Sequence, residues 1–201
     1  LRRELAEAGH VFVTQGDGEV LVHGWKQWGT RLLERLSGMF AFALWDRNRR
    51  ELFLARDHLG VKPLYYAWHA GALAFGSELK AVLCDPSVKR VVSAEALDDY
   101  LTFGAVPAPR TVYAGIQQLP PAHYLVWEDG RVTTEEYWNP TYRAVPPRRE
   151  AAWLEQFDAI FSEAVKLRMI ADVPLGAFLS GGVDSSAVVA AMAAVSRTSG
   201  R

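Results

Sequence analysis

The sequence is short of most features that would announce a secreted, membrane-spanning or nucleic-acid-binding protein. It has one cysteine, Cys84, in 201 residues, so no disulfide can form within the chain and a disulfide-stapled fold is excluded. That usage fits a reducing cytoplasm. The formal net charge is -1, and no basic cluster is denser than Arg47 to Arg50 or Arg148-Arg149. Those two clusters read as solvated turns, so neither nucleic acid nor an anionic membrane surface is expected as a partner. A membrane span is not expected either. The longest low-charge stretch, Val173 to Val195, carries Asp184 and two glycines in its middle, a polar loop that lipid would leave unsatisfied. The opening residues, Leu1-Arg2-Arg3-Glu4-Leu5, are amphipathic and charged, unlike a secretory signal. The five histidines have no metal-ligand spacing, and there is no repeat or low-complexity segment. An initiating methionine is also lacking, and because the chain opens inside a helical pattern, further residues are expected before Leu1.

What is present is core-forming material: 50% hydrophobic and 11% aromatic residues, enough for one or two domains. Helical spacing over Leu1 to Ala8 is followed by a short apolar Val11-Phe12-Val13 strand. Asp17 is placed to cap a helix reaching about Leu36. Strands are expected over Gly38 to Trp45, Glu51 to Arg56, Pro63 to Trp68 and Ala72 to Gly76, giving a largely antiparallel sheet. Glu78 to Leu83 suits a short helix, and Ser93 caps another with Leu97, Tyr100 and Leu101 on one face. His123 to Trp127 and Arg131 to Trp138 read as a hairpin about Glu128-Asp129-Gly130. Residues 139–150, with three prolines and three arginines, read as a linker; Ala152 to Ile170 then forms an amphipathic helix.

The most specific chemistry lies in Pro174 to Ser186. An apolar run over Gly176 to Leu179 has the length of a buried strand, and Ser185 to Val195 that of a helix, with Ser180-Gly181-Gly182-Val183-Asp184 between them. Adjacent glycines let backbone N–H groups approach an anion, and the helix start adds unpaired N–H groups and a positive dipole end. Asp184 stands where the Mg²⁺ of a phosphate could sit. The competing reading is a tight turn with a Ser/Asp cap. The Walker lysine and spacing are absent, which excludes that motif. The string resembles instead the pyrophosphate loop of the ATP pyrophosphatase superfamily.

Five segments together resemble the glutamine-hydrolysing asparagine synthetases of the bacterial type. They are Gly16-Asp17 with Glu19-Val20, Leu36 to Asp46, Arg56 to Tyr66, Phe75 to Ala81, and the Ser180 loop. The resemblance implies an α+β antiparallel sandwich over residues 1–138. This is a class II glutamine amidotransferase domain of the N-terminal-nucleophile αββα type, incomplete at its N-terminus. The linker over 139–150 would lead into 151–201, the first βα unit of an α/β ATP pyrophosphatase domain. It also implies ATP and Mg²⁺ as cofactors and L-aspartate and L-glutamine as substrates, in a cytoplasmic enzyme of asparagine biosynthesis. A homodimer is left open. Carried over residue by residue, Leu179 contacts the adenine side, and Ser180, Gly181, Gly182, Ser185 and Ser186 hold the pyrophosphate. Asp184 becomes the Mg²⁺ ligand, and Asp17 the carboxylate for the α-amine of glutamine. For Asp17 a plain helix N-cap stays open beside this.

No catalytic nucleophile is assigned. The family's cysteine, its carboxylate-binding arginine and its Asn-Gly-Glu segment would precede Leu1, and Cys84 has no free α-amine with which to replace the first; it reads as a semi-buried small residue. Arg56, Asp57, Glu78 and Lys80 read as structural ion pairs, or as parts of the domain interface or the ammonia passage, and His58 has no assigned role. Two other functions remain open: a related adenylating synthetase that forms another amide or a β-lactam, and a non-catalytic binding or scaffolding module. The 201-residue polypeptide alone is expected to have neither glutaminase nor synthetase activity, which glutamate release from glutamine or pyrophosphate release from ATP and aspartate would refute.

Overall fold

The computed structural model describes residues 1–199, and the chain divides into two compact units, Leu1–Thr141 and Tyr142–Arg201. The first contains α1 (Arg2–Glu7), α2 (Asp17–Trp28) with a 3₁₀ continuation over Gly29–Arg35, β1 (Ala41–Asp46) and β2 (Glu51–Arg56). Then come β3 (Tyr65–His69), β4 (Ala72–Gly76), α3 (Leu79–Val82), α4 (Ala94–Phe103), β5 (Gln117–Gln118), β6 (His123–Glu128) and β7 (Arg131–Glu136). All strand pairs are antiparallel, in two sheets ordered β1-β2-β6-β7 and β4-β3-β5.

Period-two alternation builds the layers. Along β2, Phe53 and Ala55 point to Trp25, Leu32 and Leu33 of α2 and its continuation, and Tyr124 and Val126 of β6 join them. The alternate residues, Leu52 and Leu54 with Leu125 and Trp127, meet Tyr66 and Leu73 of the second sheet. On the far side of that sheet Ala67 and Ala74 pack against Leu79 and Val82 of α3. Helix, sheet, sheet, helix is therefore the order of the layers, the αββα sandwich expected.

The Arg56-Asp57 corner at the end of β2 ties the layers together. Asp57 is 1% exposed, and its carboxylate accepts the N–H groups of Lys62 and Val61 at 2.9 Å, Leu59 at 3.2 Å and Phe40 at 3.3 Å. Arg56 donates to the carbonyls of Lys62 (2.8 Å), Gly60 (2.6 Å) and Leu119 (2.6 Å). These side chains thus hold backbone, not counter-charges, which corrects the ion-pair reading. Glu78 and Lys80 have no ion-pair partner among the described residues. Gly60, at φ +65°, belongs to the same corner: a Cβ there would lie 2.8 Å from Pro121 and 3.0 Å from the Arg56 guanidinium.

Four local expectations are revised. Val11 to Val13 forms no strand, because the Glu19 carboxylate takes the Val13 and Thr14 N–H groups (both 2.7 Å) that a ladder would need. The second helix changes pitch at Gly29, whose φ is +59°. Ser93 does cap α4, accepting from Ala96 N–H, but Leu97, Tyr100 and Leu101 face outward at 52–76% exposure. The buried side is set by Asp99, gripped by Arg110 through two bonds of 2.6 and 2.9 Å. Cys84 is exposed rather than semi-buried; it follows the last turn of α3 and its thiol donates to Lys80 C=O.

The second unit holds α5 (Glu150–Arg168) and α6 (Val183–Ser199), packed along an apolar groove of about 440 Å³ between Phe161, Val165, Leu175, Val188 and Met192. No helix among the described residues is long and apolar enough to cross a membrane. The strand expected over Gly176 to Leu179 is not formed, and Phe178 is fully exposed. An extended segment becomes a strand only against a partner edge, and the described residues of this unit contain none.

Replacing Asp57 by Ala would leave four backbone donors without their acceptor and is expected to cost about 3 kcal/mol or more. Burial pushes the Asp57 carboxyl up, but the Lys62, Val61, Leu59 and Phe40 N–H groups together leave it below its ordinary value. A depressed folded pKa stabilises above the unfolded value of about 4, and that stabilisation fades as pH falls through the folded value. The melting temperatures of wild type and Asp57→Asn should therefore converge as pH is lowered below about 4, as thermal unfolding followed by circular dichroism would record.

Candidate functional sites

The Ser180 loop enters α6 through Gly181, whose φ of +81° is a conformation that side chains rarely adopt. Ser180 Oγ and Ser185 Oγ lie 2.9 Å apart, Ser185 Oγ donates to Gly182 C=O (3.1 Å), and the Ser186 N–H bonds the same carbonyl (3.1 Å). Gly182 N–H reaches Ser180 Oγ at only 3.5 Å, a long and weak contact. Two hydroxyls and the first N–H groups of a 17-residue helix are thus gathered on one exposed turn. Such a turn can receive an anion. The loop brings together Ser180, Gly181, Gly182, Asp184, Ser185 and Ser186, while Leu179 precedes it at 61% exposure. No group of three or more metal-binding side chains occurs among the described residues. Asp184 alone offers a carboxylate at the loop, a donor set suited to Mg²⁺ that takes its other ligands from phosphate and water.

Asp17 is the first residue of α2 and exposed. The N-cap is Gly16, with no side-chain cap bond, so the capping reading of Asp17 is not what this structure adopts. Its carboxylate has no hydrogen-bond or ion-pair partner among the described residues. The segment before it is closely held. Arg2 donates to Thr14 C=O (2.7 Å) and Gly16 C=O (3.0 Å), and Glu19 accepts from Val13 N–H, Thr14 N–H and Thr14 Oγ, all at 2.7 Å. These bonds, that of the Thr14 hydroxyl first, then those of the Val13 and Thr14 N–H groups, hold the Glu19 carboxyl at about 2. Behind Glu19 stand His23, with Nε2 3.6 Å from Glu19 Oε1, and His10, with Nδ1 3.2 Å from His23 Nδ1. Neither Arg2 nor Glu19 was singled out by its chemistry in the sequence. Glu19 at the third helical position, a capping-box place, was the available signal.

Comparison with known proteins decides the family of the first unit. Residues 1–138 match the family model described as glutamine amidotransferase domain. The chain belongs to that family. Residues 156–200, which include the Ser180 loop, match a second model, described as asparagine synthase. Beside this amidotransferase match stand full-length relatives. The chain is 38% identical to asparagine synthetase [glutamine-hydrolyzing] 3 of Bacillus subtilis (strain 168), over 94% of this chain and 31% of that protein. It is 36% identical to asparagine synthetase [glutamine-hydrolyzing] 1 of the same organism, over 94% of this chain and 30% of that protein. Amidase chry2 of Gibberella zeae is 34% identical over 88% of this chain and 26% of its own length. The chain therefore spans less than a third of each of these three relatives.

The loop geometry separates its two glycines. Gly181→Ala places a side chain at φ +81° and is expected to destabilise the turn by about 1 kcal/mol. The Cβ of Gly182→Ala would meet only Ser180 Oγ at 3.5 Å and Ser185 Oγ at 3.9 Å, both ordinary contacts. Amide exchange at Ser186 should thus quicken about fivefold in the first variant and stay within about twofold in the second.

Proposed function

We propose that this chain works within a glutamine-hydrolysing asparagine synthetase, a carbon–nitrogen ligase that forms AMP. The observation that carries the reading is the order of two matches in one chain, a glutamine amidotransferase domain over 1–138 followed by an asparagine synthase match over 156–200. Residues 1–138 would handle glutamine, 139–150 would link, and 151–201 would open the adenylating domain. In the first, Asp17 receives the α-ammonium of glutamine, for which an exposed carboxylate without an internal partner is suited. In the second, Leu179 lies against the adenine side of ATP. Ser180, Gly181, Gly182, Ser185 and Ser186 surround the β- and γ-phosphates.

An oxygen of the aspartate side-chain carboxylate attacks the α-phosphorus of ATP, and the bond to the bridging oxygen breaks, so that pyrophosphate leaves. Negative charge grows on that leaving group, and the hydroxyls and helix N–H groups of the loop would stabilise it there. Mg²⁺ held by Asp184 would neutralise part of the same charge. Ammonia from glutamine then attacks the acyl carbon, and AMP departs as the amide forms. The same loop chemistry serves any carboxylate. That one similar protein is named an amidase and not an asparagine synthetase gives, as a second reading, a relative that acts on another acid or amide.

The whole polypeptide that carries this sequence should convert glutamine, aspartate, ATP and water to glutamate, asparagine, AMP and pyrophosphate in equal amounts. Asp184→Ala should lower synthesis about a hundredfold or more while sparing glutamate release. Pyrophosphate release that needs an acid other than aspartate would replace the main reading by the second, and its absence with any acid would overturn both.

A further inference from the structure

The route by which Asp17 is held in place is not explained by its own side chain, which bonds nothing among the described residues, nor by a cap, which it does not form. It is explained by the two charged groups that grip the preceding segment from opposite chemical sides. Arg2 binds the carbonyls of Thr14 and Gly16, and Glu19 binds the N–H groups of Val13 and Thr14 with the Thr14 hydroxyl. The Thr14 hydroxyl also accepts from Gly16 N–H at 3.3 Å, which closes the turn immediately before Asp17. Arg2 lies 4.3 Å over the Phe12 ring, and Phe12 is edge-on to His23 at 4.7 Å. His23 Nε2 lies 3.6 Å from Glu19 Oε1, the oxygen that accepts from Val13 N–H.

Glu19 sits one helical half-turn after Asp17, on the same first turn of α2. Its two oxygens are committed to the backbone before Asp17. Movement of Glu19 therefore displaces residues 13–16 and, through them, the start of the helix that carries Asp17.

We propose that Glu19 is a positioning residue for glutamine: it acts through Asp17, setting the place of the carboxylate that receives the substrate ammonium. The inference rests on the reading of Asp17 given above. Glu19 remains ionised throughout the neutral range, so its grip on the segment is not lost there. A glutamine side chain at 19 has one acceptor oxygen and an NH₂ group facing N–H donors, and cannot reproduce the three bonds.

The test uses the whole polypeptide that carries this sequence and compares Asp17→Asn, Glu19→Gln and the double variant. Glutamine hydrolysis is measured beside synthesis supported by ammonium chloride, which bypasses the glutamine site. Glu19→Gln should raise KM for glutamine about tenfold with kcat within about twofold, and leave ammonium-supported synthesis within about twofold. Its effect should be absent with glutaramic acid, which keeps the amide but lacks the α-amine. In the double variant Glu19→Gln should add nothing to the KM of Asp17→Asn. Should Glu19→Gln also lose ammonium-supported synthesis, Thr14→Val, which removes the hydroxyl bonds to Glu19 and from Gly16 N–H and leaves both backbone bonds to Glu19, decides in its place with an expected KM rise of about threefold.

The inference is overturned if Asp17→Asn raises KM and the position-19 or position-14 variant does not, or if glutaramic acid hydrolysis suffers equally. An unchanged KM in Asp17→Asn would instead overturn the reading of Asp17 itself, and with it the inference.

Discussion

Asp57 receives four backbone N–H groups in a place almost sealed from water, and the architecture of the first unit converges on that carboxylate. Phe40 comes from the lead into β1, Asp57 from the end of β2, and Val61 and Lys62 from the connection to β3 in the other sheet. The Asp57 carbonyl accepts from Ala122 before β6, and the Tyr137 hydroxyl after β7 donates to Arg56 C=O. Two sheets that touch through Leu54, Tyr66 and Leu125 could slide past one another if apolar contact were all that joined them. The directed bonds of Arg56 and Asp57 fix the register of that contact. The run Arg56 to Pro63 is therefore best understood as a joint.

How much of this was legible in the sequence depends on whether a residue's partner is local. The apolar runs of β2 and β6, the Ser93 cap and the Asp-Gly hairpin turn are short-range patterns, and each element appears where the pattern places it. The roles of Arg56 and Asp57 were not legible, because adjacent opposite charges suggest an ion pair and nothing in the string says that their partners are carbonyls and amides. The outward face of α4 was misread for a related reason. Leu97, Tyr100 and Leu101 look like a core stripe until Asp99 and Arg110, eleven residues apart, turn the helix the other way.

The candidate sites show the same division. The Ser180 turn is contiguous, so its hydroxyls, glycines and acid could be read off together, whereas the strand meant to precede it needs an edge from elsewhere. Resemblance marked Asp17 and Glu19 together, but not what holds the segment before them: Arg2 acts across twelve and fourteen residues, and the Glu19 bonds replace the strand that Val11 to Val13 suggested.

The segment over Val13 to Gly16 is irregular, exposed and yet fully engaged in hydrogen bonding at Thr14. Where an irregular loop beside a binding group becomes ordered only when a ligand arrives, the lost conformational entropy weakens the complex. Here the ordering accompanies folding, because Arg2 and Glu19 belong to helices already packed on the core side of the unit. A molecule binding at the start of α2 would meet a surface already in its final shape, so its association should be fast and its affinity undiminished by loop closure.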